Sequence, residues 1–530
     1  MRETQAPPDT GWQPEAEEIA RRREFAEELG GAEAVEKQHL AQRLTVRERV
    51  NLLVDRDSFQ EVGKLTGNGS YDAEHRVQKV RPAPYVMGVA KINGRDVAIG
   101  GEDFTTRGGS SWGSDRRKGG QSGFIEDLAY EYRIPLVNLI DGAGGSVAAI
   151  KRRGHAAFPG AQHFGRSVEL LGVVPVASAV LGVAAGGPAG RAILSHFSVM
   201  ARGTSQIFAA GPPVVKRALG MEITREDLGG AHIAVDKAGT IDNVAKDEQD
   251  AIDQVKRFLS YMPQNVWELP PLAPSRDPVE QKDDELLKIV PRNRKSAYNM
   301  HRLISLIVDG GSGFEIQPTF GKSVITMLAR FGGQAVGVIA NNPMIYGGAM
   351  DARAARKQIH FIELCNTFHV PLVYLVDQPG FMVGPQAEMD ATLRDGMRAV
   401  YVGMKASVPV ITVIIRKCYG MAGMATADFN QLNFKVAWPS AEIGNLPIEG
   451  GVRAAFKREI EKAENPAERE AEIESDLRSL LSPFRMAEAF TVEDMIDPRE
   501  TRAYVSRFLS IAQSRLKTSV GPKFQSGVRP

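Results

Sequence analysis

The chain of 530 residues is longer than one hydrophobic core usually organises, so two domains of similar size are expected. Its 43% apolar and 24% charged residues are those of an ordinary globular protein. With 65 Lys and Arg against 64 Asp and Glu, the net charge of +1 excludes a broad nucleic-acid footprint and makes any anion site local. Two cysteines, Cys365 and Cys418, exclude a disulfide framework and a four-thiolate zinc site, and the histidines show no metal-binding spacing.

In chain order, no basic-then-apolar signal opens the sequence, and a cytoplasmic setting is expected. Residues 1–25 read as a mobile charged leader, and 26–54, with Leu44, Val50, Leu52 and Leu53 among many charges, as one or two surface helices. A first α/β unit is expected from about Tyr85 to Tyr261. Within it, Leu170 to Gly190 carries no charge over 21 residues but holds five Gly and two Pro, which predicts a strand, a tight turn and a buried helix start rather than a membrane span. The stretch ELPPLAPSRDP (268–278), with four prolines in eleven residues, reads as a linker. A second unit is expected from about Leu303 to Ile443, followed by two charged helices over 452–481 and a tail from Lys517.

The two units echo each other. Residues 132–144 read YRIPLVNLIDGAG and residues 368–380 read FHVPLVYLVDQPG, each an apolar run entered through Pro-Leu-Val and ended by an Asp and a Gly-containing turn. Downstream, Val174-Pro175-Val176 and Gly186 match Val408-Pro409-Val410 and Gly420. Upstream, Gly88-Val89-Ala90 and Gly100-Gly101 are matched to Gly337-Val338-Ile339 and Gly347-Gly348. Two copies of one unit imply two related sites and an enzyme that passes a group between two bound molecules.

Chemistry is expected on the loops after these strands. In DGAGGS (141–146) small residues let a ligand approach the main chain and let successive N–H groups converge on an oxygen; a plain turn is the alternative. CYGMAGM (418–424) takes the place that AAGGPAG (184–190) holds in the first copy. Asp141 and Asp377 either form a carboxylate pair or bond the N–H groups of their own turns, the latter being favoured. Cys418 is expected to be a buried, inert thiol. His155 and His163 are expected in ordinary surface or core roles. The cluster Arg116-Arg117-Lys118 either meets phosphates or is solvated.

Ordered along the chain are also RLTVRER (43–49), EDLGGA (226–231), FEIQP (314–318), VGVIANN (336–342), DQPGF (377–381) and IDPRETR (496–502). With these, the chain resembles the carboxyltransferase (β) subunits of biotin-dependent acyl-CoA carboxylases of the propionyl- and methylcrotonyl-CoA type, in the crotonase superfamily. The resemblance implies an α/β fold of two tandem crotonase-like domains, spirals of ββα turns with peripheral helices. After the leader, residues 26–270 would form an acyl-CoA domain and 271–530 a biotin domain. It also implies six copies in two stacked trimers, an active site where an N-half meets the C-half of another subunit, and a partner (α) subunit with the biotin carboxylase and biotin carrier. Neither a metal in this chain nor a membrane partner is implied.

In that family two oxyanions, one on the thioester and one on the biotin ureido group, are held by main-chain amides rather than by a triad. By position, Gly144, Gly145 and Ser146 would hold the thioester enolate. Met421 and Ala422 would hold the ureido oxygen, with Tyr419, Gly420, Gly423 and Met424 around the biotin. Gly186 and Gly187 would lie along the CoA adenine end, and Arg116, Arg117 and Lys118 near CoA phosphates. The chain departs from the family in a first loop one residue longer and in Met424, at the position associated with acyl-chain choice, which favours an uncharged chain. Two rivals remain: a biotin-linked acyl-CoA decarboxylase subunit, and a non-catalytic assembly subunit.

Overall fold

The computed structural model describes residues 11–110, 123–145, 147, 150–151, 154–156, 162–427 and 432–523. It falls into two compact units, one running to Ala234 and including Val244–Lys256, the other formed by Val235–Asn243 and the chain from Arg257 onward.

Each unit is built on one sheet, and the two sheets share a topology. The first unit contains β1 (Gln60–Val62), a separate hairpin of β2 (Gly67–Tyr71) and β3 (Val77–Pro82), β4 (Tyr85–Ile92), β5 (Arg95–Glu102), β6 (Leu136–Gly142), β7 (Val176–Ala185), β8 (Phe197–Ala201), β9 (Gln206–Phe208) and β10 (Asn243–Ala245). Its sheet runs β1-β4-β5-β6-β7-β8-β10, with β9 on the end of β7. The second unit contains β11 (Phe314–Glu315), β12 (Val324–Phe331), β13 (Gln334–Asn341), β14 (Leu372–Gln378), β15 (Val410–Tyr419), β16 (Phe434–Ala437), β17 (Glu442–Gly444) and β18 (Asp494–Met495), ordered β11-β12-β13-β14-β15-β16-β18 with β17 on β15. In both, two antiparallel pairings precede parallel ones. Strands β6, β7 and β14 are buried along their whole length, as parallel strands covered on both faces must be.

Ladder registers align the copies residue by residue. Leu136 faces Val176 as Leu372 faces Val410, so the downstream half of the repeat is as the sequence predicts. The upstream match is one strand out. Ala98 faces Leu136 as Gly337 faces Leu372, which makes β13 the counterpart of β5, not of the β4 strand that carries Gly88. Gly347-Gly348 correspond to Gly108-Gly109, with φ of 64° and 88° against 62° and 67°. A Gly-Val-Ala string suits any buried strand, so similarity alone does not choose between neighbours.

The Pro-Leu-Val entry has a local cause. Helices α2 (Phe124–Tyr132) and α4 (Ala352–Thr367) end before Arg133 and His369, both left-handed at φ 54° and 58°. The residue before each Pro is then steered towards extended backbone, and the strand begins. Leu170 to Gly190 is the predicted strand, turn and helix start: β7, then Gly186 at φ 59°, then α3 (Gly187–Ile193). Among the described residues no helix is long and apolar enough to cross a membrane.

Three peripheral expectations change. The leader is helical from Gln13 to Glu27, helped by Pro14 at the helix start and an Arg22–Glu18 pair one turn apart. Helix α1 (Val46–Leu53) is not a surface helix: Val46, Arg49, Val50 and Leu53 are buried. The proline-rich linker, largely exposed, is tied to the second unit by hydrogen bonds, Arg330 donating to the Pro271 carbonyl at 3.0 Å and Arg502 to that of Pro278 at 2.9 Å. Arg502, buried on α6 (Thr501–Thr518), also donates to Asp309 at 2.6 Å, so the IDPRETR motif fixes the last helix to the core around Val338, Val373, Ile411 and Trp438.

Candidate active sites at two equivalent strand ends

The chemistry-bearing loops follow two adjacent parallel strands in each unit, β6 and β7 in the first, β14 and β15 in the second. Just before the loops the pairing slips in both copies, between Ile140 and Gly142 and between Val376 and Gln378. Asp141 and Asp377 sit in the slip, fully buried. Each carboxylate takes the place of a ladder acceptor: Asp141 accepts the Val183 amide at 3.2 Å and Asp377 the Lys417 amide at 3.1 Å. These amides belong to the neighbouring strand. The expectation that each Asp bonds its own turn is therefore corrected: the carboxylates tie two strands together where the ladder breaks.

A buried carboxylate needs a cation, and the units supply it differently. In the second, Arg416 on β15 holds Asp377 through Nε at 3.0 Å and Nη2 at 2.9 Å, and its guanidinium lies 4.9 Å from the Tyr298 ring centre. Burial first, and then the Asp377 charge, pushes the Tyr298 hydroxyl well above its usual pKa. The counterpart of Arg416 in the first unit is Gly182, where any Cβ would collide with the Asp141 carboxylate. Arg49 of α1 fills the role from outside the sheet, bonding Asp141 at 2.9 Å and Glu248 twice at 2.7 Å. Burial works against its charge, but the two carboxylates outweigh it and raise its pKa. The RLTVRER motif is thus an anchor: Thr45 and Glu48 cap α1, and Arg49 clamps the strand end.

In the first site Gly144 takes φ 79°, and a side chain there would strike the Ala185 carbonyl. Gly145 has open space around its Cβ position. Ala143 is held by the Gly108 carbonyl at 2.9 Å and the Gly144 carbonyl by Ser110 Oγ at 2.8 Å. The amides of Gly144 and Gly145 have no acceptor among the described residues. Gly186 lies against Gly144, its Cβ position 4.0 Å from the Gly144 Cα. Gly186 therefore lies at the same spot as the first loop. Ser146, Arg116, Arg117 and Lys118 lie outside the described residues. His155 is exposed and its ring bonds the adjacent Ala156 carbonyl.

In the second site α5 (Gly420–Ala427) starts directly after β15, with Gly420 at φ 59°. As at any helix start, the amides of Gly420, Met421 and Ala422 have no intrahelical acceptor. Met421 is half exposed, Met424 partly buried and Ala422 buried. Two residues expected beside the biotin make close contacts within the unit: the Tyr419 hydroxyl bonds Glu442 at 3.0 Å within an Arg294–Glu442 pair, and the Cβ position of Gly423 lies 3.1 Å from Cys418 Sγ. Cys418 is a buried free thiol, as expected.

The two copies differ in the donors that equivalent positions leave unused. Pro188, the counterpart of Ala422, has no N–H, so the first unit cannot offer that donor. Conversely Gly380, the counterpart of Gly144, gives its amide to Gln378 Oε1 at 3.0 Å. Among the described residues the first unit keeps the Gly144 amide after β6, which the second uses internally at Gly380, and the second keeps the Ala422 amide after β15, which the first lacks at Pro188.

A cavity of about 920 Å³ also opens in the first unit beside Thr105–Arg107, at the carboxyl end of β5 and next to the Gly108 carbonyl that holds the first loop. Lys79, Arg81 and Arg107 line it. Sequence reasoning missed these cations because they are scattered along the chain.

Two tandem crotonase-like modules, each with unpaired main-chain donors at the carboxyl end of a parallel sheet, define a carboxyltransferase fold. The chain belongs to the carboxyl transferase domain family, which matches residues 37–526. It is 32% identical to a propionyl-CoA carboxylase carboxyltransferase subunit of Haloferax mediterranei over 96% of this chain and 98% of the relative. It is 33% identical to the methylmalonyl-CoA decarboxylase subunit alpha of Veillonella parvula over 92% and 93%. Transcarboxylase 12S, solved as a hexamer assembly with methylmalonyl-CoA and methylmalonic acid bound, matches it with a TM-score of 0.87 and 32% identity over 98% of each chain.

Proposed function

We propose that the chain is the carboxyltransferase subunit of a biotin-dependent acyl-CoA carboxylase. The observation that carries this reading is a donor difference between equivalent loops: the Gly144 amide is left after β6 in one module and the Ala422 amide after β15 in the other. Two oxygens that gain negative charge at different moments are best held by two separate sets of fixed donors.

The first unit takes the acyl-CoA. Gly144 and Gly145 donate to the thioester oxygen as the α-carbon loses its proton, and Gly186 gives the acyl end room at the same spot. CoA phosphates meet Lys79, Arg81 and Arg107 in the cavity beside β5. The second unit takes biotin, and its residues fit a ureido group: Met421 and Ala422 present unpaired amides, while Met421 and Met424 offer apolar sides. Biotin, brought by a partner (α) subunit that also carboxylates it, supplies the carboxyl group. This chain positions the reactants, excludes water and stabilises negative charge on two oxygens. Met424 suits an uncharged acyl chain. The reading includes a cytoplasmic hexamer of two stacked trimers, by analogy with the 12S core.

The test is transcarboxylation by the purified subunit, from a panel of carboxylated acyl-CoAs to free biotin. Turnover that disappears in hexameric Gly145→Pro and Ala422→Pro is expected; full activity in both would remove the site assignment. The Veillonella relative supports a second reading, a decarboxylase subunit using the same site in reverse. Dependence on a soluble biotin carboxylase and ATP, rather than on membranes and sodium, separates the two.

A further inference from the structure

Gly142 closes β6, and a Cβ placed on it would lie 2.8 Å from Pro188 Cγ and 3.0 Å from Glu102 Cγ. A side chain at this strand position therefore runs beneath the first turn of the helix that follows the next strand. The second module carries Gln378 at that position and the smaller Ala422 in place of Pro188.

Gln378 is fully buried. Its Oε1 accepts the Gly380 amide at 3.0 Å, which settles the orientation of the side-chain amide, since a flip would set N–H against N–H. Its Nε2 is left without an acceptor among the described residues, at the end of β14, the strand on which α5 packs. A buried donor without a partner typically costs about 1–3 kcal/mol, a penalty that an acceptor on a ligand relieves.

We propose that the Gln378 side-chain amide is a third donor of the second site, acting on the same ligand oxygen as the Met421 and Ala422 amides. The inference rests on the carboxyltransferase reading, in which that oxygen is the biotin ureido oxygen. In the first module the equivalent pair, Gly142 and Pro188, provides neither the side-chain nor the main-chain donor, so the two sites are chemically distinct despite their common fold.

The test uses the full-length chain and compares wild type with Gln378→Met and Gln378→Glu. Three quantities are measured: kcat for transfer from methylmalonyl-CoA to biotin, the Kd of biotin by calorimetry, and the Kd of methylmalonyl-CoA. Gln378→Met is expected to lower kcat by about 10- to 100-fold and to weaken biotin, leaving acyl-CoA affinity within about twofold. Gln378→Glu keeps an acceptor for Gly380 but carries a donor only while protonated. Its kcat and biotin affinity are expected to fall as pH rises through the carboxyl pKa, a step absent from wild type. The Glu variant decides the matter if the Met variant does not fold. Wild-type kcat and biotin affinity in the variants, a pH-independent Glu variant, or an equal loss of acyl-CoA affinity would overturn the proposal. Silence of the wild type would instead overturn the reading beneath it.

Discussion

The same buried carboxylate closes the same strand in both modules, yet its cation arrives by different routes. Asp377 is neutralised from the adjacent strand by Arg416, whereas Asp141 waits for Arg49 on a helix 92 residues away in sequence. The second module thus carries its clamp within the sheet. The first depends on a segment outside its repeat, and a side chain at Gly182 is excluded because the Asp141 carboxylate already occupies that space. The comparison shows that a duplicated fold preserves the need for a charge partner without preserving its source.

The strongest way to break the comparison is to remove the cation. Arg49→Met leaves Glu248 without its buried guanidinium and Asp141 with only the longer Arg43 contact at 3.4 Å, and is expected to destabilise the first module by about 3–5 kcal/mol. Arg416→Met strands only Asp377 and is expected to act on the second module alone. Urea unfolding followed by hydrogen exchange in each unit reads both, and equal exchange in the two modules would contradict their independence.

Next comes the donor asymmetry. Gly145→Pro and Ala422→Pro each remove one amide and are expected to lower kcat by about 10²–10³-fold, or ~2.7–4 kcal/mol of barrier. Gly145→Pro is expected to leave biotin affinity unchanged and Ala422→Pro to leave acyl-CoA affinity unchanged, measured by kinetics and calorimetry on the same preparations.

A third contrast concerns a buried cation of the second module. Burial pushes Lys357 down to about 8, opposed by Glu315 at 3.6 Å. Between that value and the ordinary 10.5, the unfolded chain holds a proton that the folded chain has shed, so stability should rise with pH in this window. Lys357→Met is expected to flatten that rise and to add up to about 3 kcal/mol below pH 8. Unfolding midpoints from pH 7 to 10.5 for variant and wild type decide it.

The smallest effect tests how α1 delivers Arg49. Thr45 and Glu48 form a capping box, and Thr45→Ala is expected to cost about 1 kcal/mol in the first module and nothing in the second. A loss of the same size in both would place α1 in a wider role.

The sequence by itself determined the duplication, the two α/β units and the loops that end β6 and β15. Pro-Leu-Val entries, buried strand runs and glycines at positive φ are local instructions, read within about a dozen residues. It also carried the carboxyl transferase family. Tertiary structure alone decided that Gly88 belongs to a different strand from the one matched by similarity, and that hydrogen bonds tie the proline-rich stretch to the second unit. It also set Gly186 beside Gly144. Whether an amide is free depends on what reaches it in space: Gln378 Oε1 occupies the Gly380 donor, and Pro188 removes one that Ala422 keeps. Such pairings join residues on separate strands and helices, so sequence spacing does not encode them, and only packed strand ends fix which donors remain for a ligand.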